Sequence, residues 1–177
     1  RWTEALLSGS TGTLEREFSL DTYEGLGDSV DLTLDASPYG LAGILSFNDV
    51  PVEYYVDDLH DVDLERFKFA RGEAEGKQVW ESLNALVALR VWQDVLKNKK
   101  VYLRLRGDNV AMLTLMLKLK VKAGVIGLGL IAREAALDIA AGSYAPQVGE
   151  HVPGIANLLA DVLSRRADPN VVKGTKE

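Results

Sequence analysis

Two aspartates follow segments of alternating hydropathy and could bring their carboxylates together. In "SVDLTLDAS" apolar and polar residues alternate, which predicts a strand that ends near Asp35. "KVYLRLRGD" alternates in the same way and ends at Asp108. If these strands are parallel neighbours, the two carboxylates meet beyond the strand ends, where open α/β sheets bind ligands. Such a pair either raises a pKa or binds a divalent cation, for which oxygen ligands favour Mg²⁺ or Mn²⁺.

Two further acids could complete this site. Glu81 lies in the first turn of a helix predicted over residues 78–96, and Asp161 lies in a final apolar helix that Asn157 could cap. Paired divalent ions about 4 Å apart are a common arrangement for phosphodiester cleavage. Taken singly, each acid could instead serve a turn, a cap, a helix end or a solvated surface. The apolar residues expected to hold the last helix against the sheet are Leu158, Leu159, Val162 and Leu163.

Competing ligands and chemistries are less well supported. Glu73 and Glu75 lie between two glycines, where the backbone is too flexible to preorganise a metal ligand, so Glu81 is favoured. The chain has no cysteine and two distant histidines, which excludes a disulfide and argues against a zinc site. A phosphatase of the D-x-D type is disfavoured because Asp31 and Asp35 are four residues apart.

The elements that position these acids form a predicted α/β fold. Three strands with short connections, over residues 29–56, predict an antiparallel meander. The following helix and strand require a right-handed crossover, so the strand that ends at Asp108 should run parallel to an earlier one. Two helices, the second ending at Gly142, then a short strand and the final helix complete the order β-β-β-α-β-α-α-β-α. We therefore expect a mixed five-stranded sheet, with three antiparallel strands then two parallel additions, flanked by helices.

Composition limits the classes of protein that are possible. A chain of 177 residues is long enough for one domain with a substantial core. The net charge of −6 divides into −11 over residues 1–80 and +5 over residues 81–177, which leaves room for a polyanion on one face. No segment resembles a membrane span or a signal peptide, so we expect an intracellular location, in cytoplasm or nucleus, and no membrane partner. The opening arginine suggests a segment of a longer polypeptide.

Four motifs in residues 30–168 resemble one family. "HVPGIANLLADVLSRR" is similar to a pattern written H-x-P-G-x-x-N-x-x-A-D-x-L-S-R, and "LDASPYGLAGIL", "WESLNALVALRVW" and "LRGDNVAML" resemble three further motifs in the same order. They are typical of the ribonuclease H domain of retroelement reverse transcriptases, of the LTR gypsy-like kind. The last motif is long and specific, whereas "DAS" alone would be weak.

The resemblance implies a ribonuclease H that cleaves the RNA strand of RNA–DNA hybrids with two Mg²⁺ ions, or Mn²⁺ in their place. The matching metal-ligating and catalytic residues are Asp35, Glu81, Asp108 and Asp161. Weaker candidates for substrate contact are Ser37 and Asn109, which could instead be turn or cap residues, and Arg104 and Arg106, which could be solvated on a strand face. His151 precedes the loop where cellular relatives carry a histidine, so a structural role is expected for it.

The resemblance also implies partners and boundaries. The upstream reverse transcriptase domain of the same polyprotein is the expected protein partner, and an isolated ribonuclease H domain should bind hybrid weakly without it. Residues 1–28 are expected to connect the two domains, residues 29–168 to form the ribonuclease-H-like domain, and residues 169–177 to form a flexible tail. The alternative is a catalytically silent ribonuclease-H-like domain that positions template and primer, although four clustered acids argue against it.

Overall fold

The computed structural model describes residues 2–9, 20, 24, 26–97, 101–121, 125–141, 146, 148–154 and 157–171. The strands are β1 (Asp28–Ala36), β2 (Gly40–Phe47), β3 (Val50–Asp58), β4 (Val101–Gly107) and β5 (Val148–His151). The helices are α1 (Trp2–Leu7), α2 (Asp61–Phe67), α3 (Lys77–Val91), α4 (Gln93–Lys97), α5 (Val110–Lys118), α6 (Ile126–Ala141) and α7 (Leu158–Ser164), with a 3₁₀ turn at Ala74–Gly76. None of these described helices is both long enough and apolar enough to cross a bilayer.

The five strands form one mixed sheet in the order β3-β2-β1-β4-β5. β1 and β2 pair antiparallel, as do β2 and β3, whereas β1 and β4 are parallel and β4 and β5 are parallel. The predicted fold class is therefore confirmed, including the parallel crossover between the first and fourth strands. In the β1–β4 ladder Thr33 is opposite Arg106, so two residues further on Asp35 comes level with Asp108.

One face of the sheet carries the main hydrophobic core. Val30, Leu32 and Leu34 of β1 are fully buried, because alternate residues of a strand point to the same face. Helices α3, α5 and α6 pack together on this face, and α3 contributes the fully buried Trp80. The helix that carries Glu81 is thus held against the strand that carries Asp35.

The helices differ from the predicted order in several places. The predicted order has no helix between the third strand and residue 78, but α2 lies there, and its first turn is fixed by the Asp63 carboxylate accepting from the His60 backbone N–H at 3.2 Å. The helix predicted over residues 78–96 divides at Trp92 into α3 and α4. α6 begins at Ile126 although Gly127 and Gly129 lie in its first turn, because packing outweighs the helix penalty of two glycines. The cap predicted at Gly142 lies outside the described residues.

The second face of the sheet is covered near the end of β1 by α7. The expectation that apolar residues hold this helix was wrong for three of the four, since Leu158, Leu159 and Val162 are 58–65% exposed. The helix instead buries Ala160 and Ser164, and polar contacts fix its position. The Asn157 side-chain amide donates to the Leu34 carbonyl at 3.0 Å, and the Ser37 hydroxyl donates to the Ser164 carbonyl at 2.6 Å. These bonds fix the helix beside Asp35.

Candidate metal centre

Three of the predicted acids converge where β1, β4 and α3 meet. Asp35 is the penultimate residue of β1, Asp108 follows β4, and Glu81 lies in the second turn of α3. Each offers a carboxylate oxygen that lies within 4.8 Å of the others. Asp35 and Glu81 are buried, and Asp108 is partly exposed. We call Asp35, Glu81 and Asp108 the acidic triad.

The triad contains oxygens that nothing in the described part of the chain satisfies. Both carboxylate oxygens of Glu81 and Oδ1 of Asp108 are buried without a hydrogen-bond partner. Burial raises the pKa of Glu81 well above its usual value, and the charges of Asp35 and Asp108 raise it further. The backbone N–H of Ala36 offsets a small part of this shift without forming a hydrogen bond of ordinary geometry. Buried, unpartnered carboxylates are costly unless a cation or a proton neutralises them.

The Asp35 carboxylate has one hydroxyl partner. Ser164 of α7 donates to Asp35 Oδ2 at 2.5 Å. Burial raises the pKa of Asp35 to about 6, the Ser164 hydrogen bond opposes that rise, and the charges of Asp161 and Asp108 add to it. Ser164 therefore orients Asp35 and favours its ionised form.

A lysine that the sequence reasoning did not single out borders the triad. Lys77, the first residue of α3, places Nζ 3.3 Å from Asp108 Oδ2 and 4.0 Å from Glu81 Oε1. Partial burial lowers the pKa of Lys77, but the charge of Asp108 and its hydrogen bond outweigh that effect, so the net pKa is raised. The signal was present in the sequence, because a lysine four residues before Glu81 faces the same side of a helix.

The fourth predicted acid is turned towards a different partner. Asp161 Oδ1 accepts from Arg165 Nε at 2.7 Å, one helical turn further along α7. Asp161 is not part of the group of carboxylates that lie within 4.8 Å of one another, although its charge raises the pKa of Asp35. The structure thus brings three of the four acids together and places the fourth nearby, in an ion pair.

An asparagine that sequence reasoning also missed fixes the strand under the triad. The buried Asn84 of α3 donates from Nδ2 to the carbonyls of Asp35 and Ala42, each at 2.8 Å, and its Oδ1 accepts from the Tyr55 hydroxyl at 2.5 Å. The Tyr55 ring lies over Gly43, where any side chain would collide with it. The signal was an amide one turn after Glu81, on the buried face of an amphipathic helix.

The four weaker substrate candidates lie in two settings. Ser37 is buried and bonded to α7, and its hydroxyl also accepts from the Gly40 backbone N–H at 3.1 Å. Asn109 caps α5, accepting from the backbone N–H groups of Ala111 and Met112 at 3.0 Å. Both therefore have the turn and cap roles that were the alternatives, and substrate contact by either stays a prediction.

Arg104 and Arg106 are engaged by carboxylates on the second face of the sheet. Arg104 binds Asp31 through two hydrogen bonds of 2.5 and 2.7 Å and also contacts Asp49. Arg106 Nε lies 3.1 Å from Glu150 Oε2, in an ion pair without hydrogen-bond geometry at that nitrogen. Substrate contact by these arginines likewise stays a prediction. We call Asp31, Arg104, Arg106 and Glu150 the arginine network.

The donor set of the triad suits a hard divalent cation. Carboxylate oxygens are the ligands that Mg²⁺ and Mn²⁺ prefer, and the orphaned oxygens of Glu81 and Asp108 have the unused bonding capacity that such an ion satisfies.

With its sheet order and flanking helices, the chain has the ribonuclease H fold.

Solved structures share this fold. The ribonuclease H1 of the halophilic archaeon Halobacterium salinarum aligns with a TM-score of 0.56 at 16% identity, over 79% of this chain and 96% of that one. The N-terminal ribonuclease H domain of a Mycobacterium tuberculosis protein, solved fused to maltose-binding protein, gives 0.57 at 14% identity, over 79% and 93%. A compost ribonuclease H1 found by metagenomics gives 0.51 at 17%, over 79% and 94%. In sequence, the chain matches no family model and no curated protein.

Proposed function

We propose that this chain is an endonuclease that cleaves the RNA strand of RNA–DNA hybrids during reverse transcription. The main support for this activity is the acidic triad, whose buried, unsatisfied oxygens converge at the carboxyl ends of two parallel strands. The ribonuclease H fold and the four sequence motifs support the same activity. The long final motif supports an origin in a gypsy-like LTR retroelement.

The proposed ligands have distinct positions. Asp35 and Asp108 lie at neighbouring strand ends and are the central ligands, while Glu81 reaches them from α3. Asp161 is the proposed fourth ligand, and we expect it to bind metal most weakly of the four because Arg165 already pairs with its carboxylate. If these residues held two divalent ions, the ions would supply a metal-activated water and charge stabilisation at the leaving 3′ oxygen.

The surface suggests how the substrate is held. The first 80 residues carry a strong negative charge, and Arg104 and Arg106 are paired with carboxylates, so these two arginines are not free to bind phosphates. Recognition should therefore depend on the shape of the hybrid and on contacts with 2′-hydroxyls, which proteins use to distinguish RNA from DNA. We expect weak, salt-sensitive binding by this chain alone, strengthened by the polymerase domain of the same polyprotein.

A cleavage assay tests the activity directly. The chain is incubated with labelled RNA–DNA hybrid, single-stranded RNA or double-stranded DNA, each with Mg²⁺ or with EDTA. We expect cleavage of the hybrid RNA only, dependent on Mg²⁺ and lost in Asp108→Asn. The matched control is Asp28→Asn, an exposed acid at the opposite end of β1, about 20 Å from Asp35.

The same assay separates the alternative function. If hybrid is not cut even when the polymerase domain is supplied, the proposed nuclease activity is wrong, and a template-positioning domain becomes the better explanation. Cleavage that persists in the double variant Asp35→Asn with Asp108→Asn would instead refute the assignment of the triad.

A further inference from the structure

Lys77 is the cation that the fold places against the acidic triad. Its Nζ lies 3.3 Å from Asp108 Oδ2 and 4.0 Å from Glu81 Oε1, and among the described residues it alone forms ion pairs with the triad. One ammonium faces three carboxylates, so the cluster retains excess negative charge. The Lys77 side chain is 44% exposed, whereas that of Glu81 is fully buried.

A metal ion and this ammonium need the same oxygens. Mg²⁺ binds carboxylate oxygens at about 2.1 Å, and Asp108 Oδ2 and Glu81 Oε1 are the atoms that Lys77 faces. The Glu81 side chain is fully buried, and neither of its carboxylate oxygens has a hydrogen-bond partner. Repulsion between an ammonium and a divalent ion only a few ångströms apart is strong even in a polar environment.

We propose that Lys77 is a built-in competitor of the metal, whose ammonium holds the cation position between Glu81 and Asp108 until a divalent ion displaces it. The inference rests on the proposed metal-dependent function and adds a regulatory property to that site: Lys77 sets the metal concentration at which the triad fills. It also limits the repulsion among the carboxylates before metal binds.

The location of Lys77 makes such displacement feasible. It is the first residue of α3, so its backbone can stay in place while the long side chain rotates outwards. Its exposed end reaches water without passing through the core, since lysine keeps its charged head near solvent. A plain structural ion pair would make a different prediction, namely that loss of Lys77 lowers stability and leaves metal affinity unchanged.

Metal binding by the whole chain tests the proposal, with calorimetric titration of Mn²⁺ and of Mg²⁺ as the readout. We expect Lys77→Gln to bind metal about tenfold more tightly than the wild type, since one competing charge is removed. Metal should also raise the melting temperature of Lys77→Gln more than that of the wild type. Lys120→Gln is the matched control, an exposed lysine beyond the far end of α5, about 15 Å along that helix from Asp108.

The outcomes separate this inference from the proposed function. If the wild type binds metal and Lys77→Gln binds it equally or more weakly, the competitor role is wrong while the metal site stands. If neither protein binds metal, both proposals fail. Lys77→Arg keeps the charge and guards against a folding defect in Lys77→Gln. It should bind metal no more tightly than the wild type, and a tenfold gain in Lys77→Arg would overturn the competitor role.

Discussion

Asp31 and Asp35 lie four residues apart on the same face of β1, and both are almost fully buried, at 1% and 3% exposure. Asp31 is neutralised by two hydrogen bonds from Arg104, with Arg106 3.7 Å away. Asp35 accepts a hydrogen bond from the Ser164 hydroxyl and lies beside Glu81 and Asp108. Lys77 forms its ion pairs with those two acids and not with Asp35. One strand therefore carries a balanced carboxylate and an unbalanced one.

The difference separates structural from functional burial of charge. A buried carboxylate with a bidentate arginine can contribute to stability, since its bonds replace those it made with water. The acidic triad has no such compensation, and burial raises the pKa values of Asp35 and Glu81. Such a cluster lowers the stability of the folded chain. Clusters of this kind are expected where the carboxylates bind a cation.

The largest expected contrast is between Asp35→Asn and Asp31→Asn. Asp35→Asn should lower hybrid cleavage by roughly a thousandfold, because loss of a metal ligand removes several kcal/mol of charge stabilisation. Asp31→Asn should change cleavage less than about tenfold but lower the free energy of unfolding by about 2 kcal/mol, since the arginines lose a charged partner. Cleavage rates and urea denaturation measure the two effects. Equal losses of activity in both variants would break the distinction.

A pH series without metal tests the cost of burying Asp35. The pKa of Asp35 is raised from 3.8 to about 6, so the folded chain keeps a proton that the unfolded chain releases between these values. Stability should therefore fall as pH rises through this window. The advantage of Asp35→Asn over the wild type should grow by about 2 kcal/mol between pH 4 and pH 7. An advantage that is constant with pH would contradict the shift.

Asn84 tests whether the position of Asp35 depends on the α3 contact. Asn84→Ala removes the side-chain amide that donates to the buried carbonyls of Asp35 and Ala42 and should lower the free energy of unfolding by about 2 kcal/mol. Metal affinity should fall about tenfold, as is usual when a residue that orients a ligand is lost. Tyr55→Phe is the control, because it removes only the hydroxyl that donates to Asn84. Unchanged metal affinity in Asn84→Ala would limit Asn84 to stability.

The smallest expected effect is that of Ser164→Ala. Its hydroxyl opposes the rise in the pKa of Asp35, so its loss should raise that pKa further. The acidic limb of the pH–rate profile should move to higher pH, with cleavage near pH 6 reduced about tenfold and recovering as pH rises. Ser164→Thr keeps a hydroxyl and serves as the control. A loss independent of pH would show that Ser164 only packs α7.

The strands and the convergence of the triad could be predicted from sequence, for a physical reason. Alternating hydropathy identifies β1 and β4, and the handedness of crossovers makes them parallel, which brings Asp35 and Asp108 together. Glu81 follows because its helix must pack across those strands.

The remaining features depend on three-dimensional contacts that no local pattern encodes. The exposure of Leu158, Leu159 and Val162 could not be predicted, because α7 is attached by hydrogen bonds of Ser37 and Asn157 and by burial of its small residues rather than by these three. The i, i+4 spacing of Asp161 and Arg165 is compatible with an ion pair. Spacing alone, however, does not show whether Asp161 binds this arginine or joins the other acids.

The most direct test of the central claim is a crystal of the chain soaked in Mn²⁺, examined by anomalous diffraction. We expect manganese peaks bound by Asp35, Glu81 and Asp108, with Lys77 Nζ moved away from Glu81 and Asp108. No manganese peak is expected at the arginine network. Crystals that bind manganese only elsewhere, or that show no peak within bonding distance of the triad at saturating Mn²⁺, would contradict it.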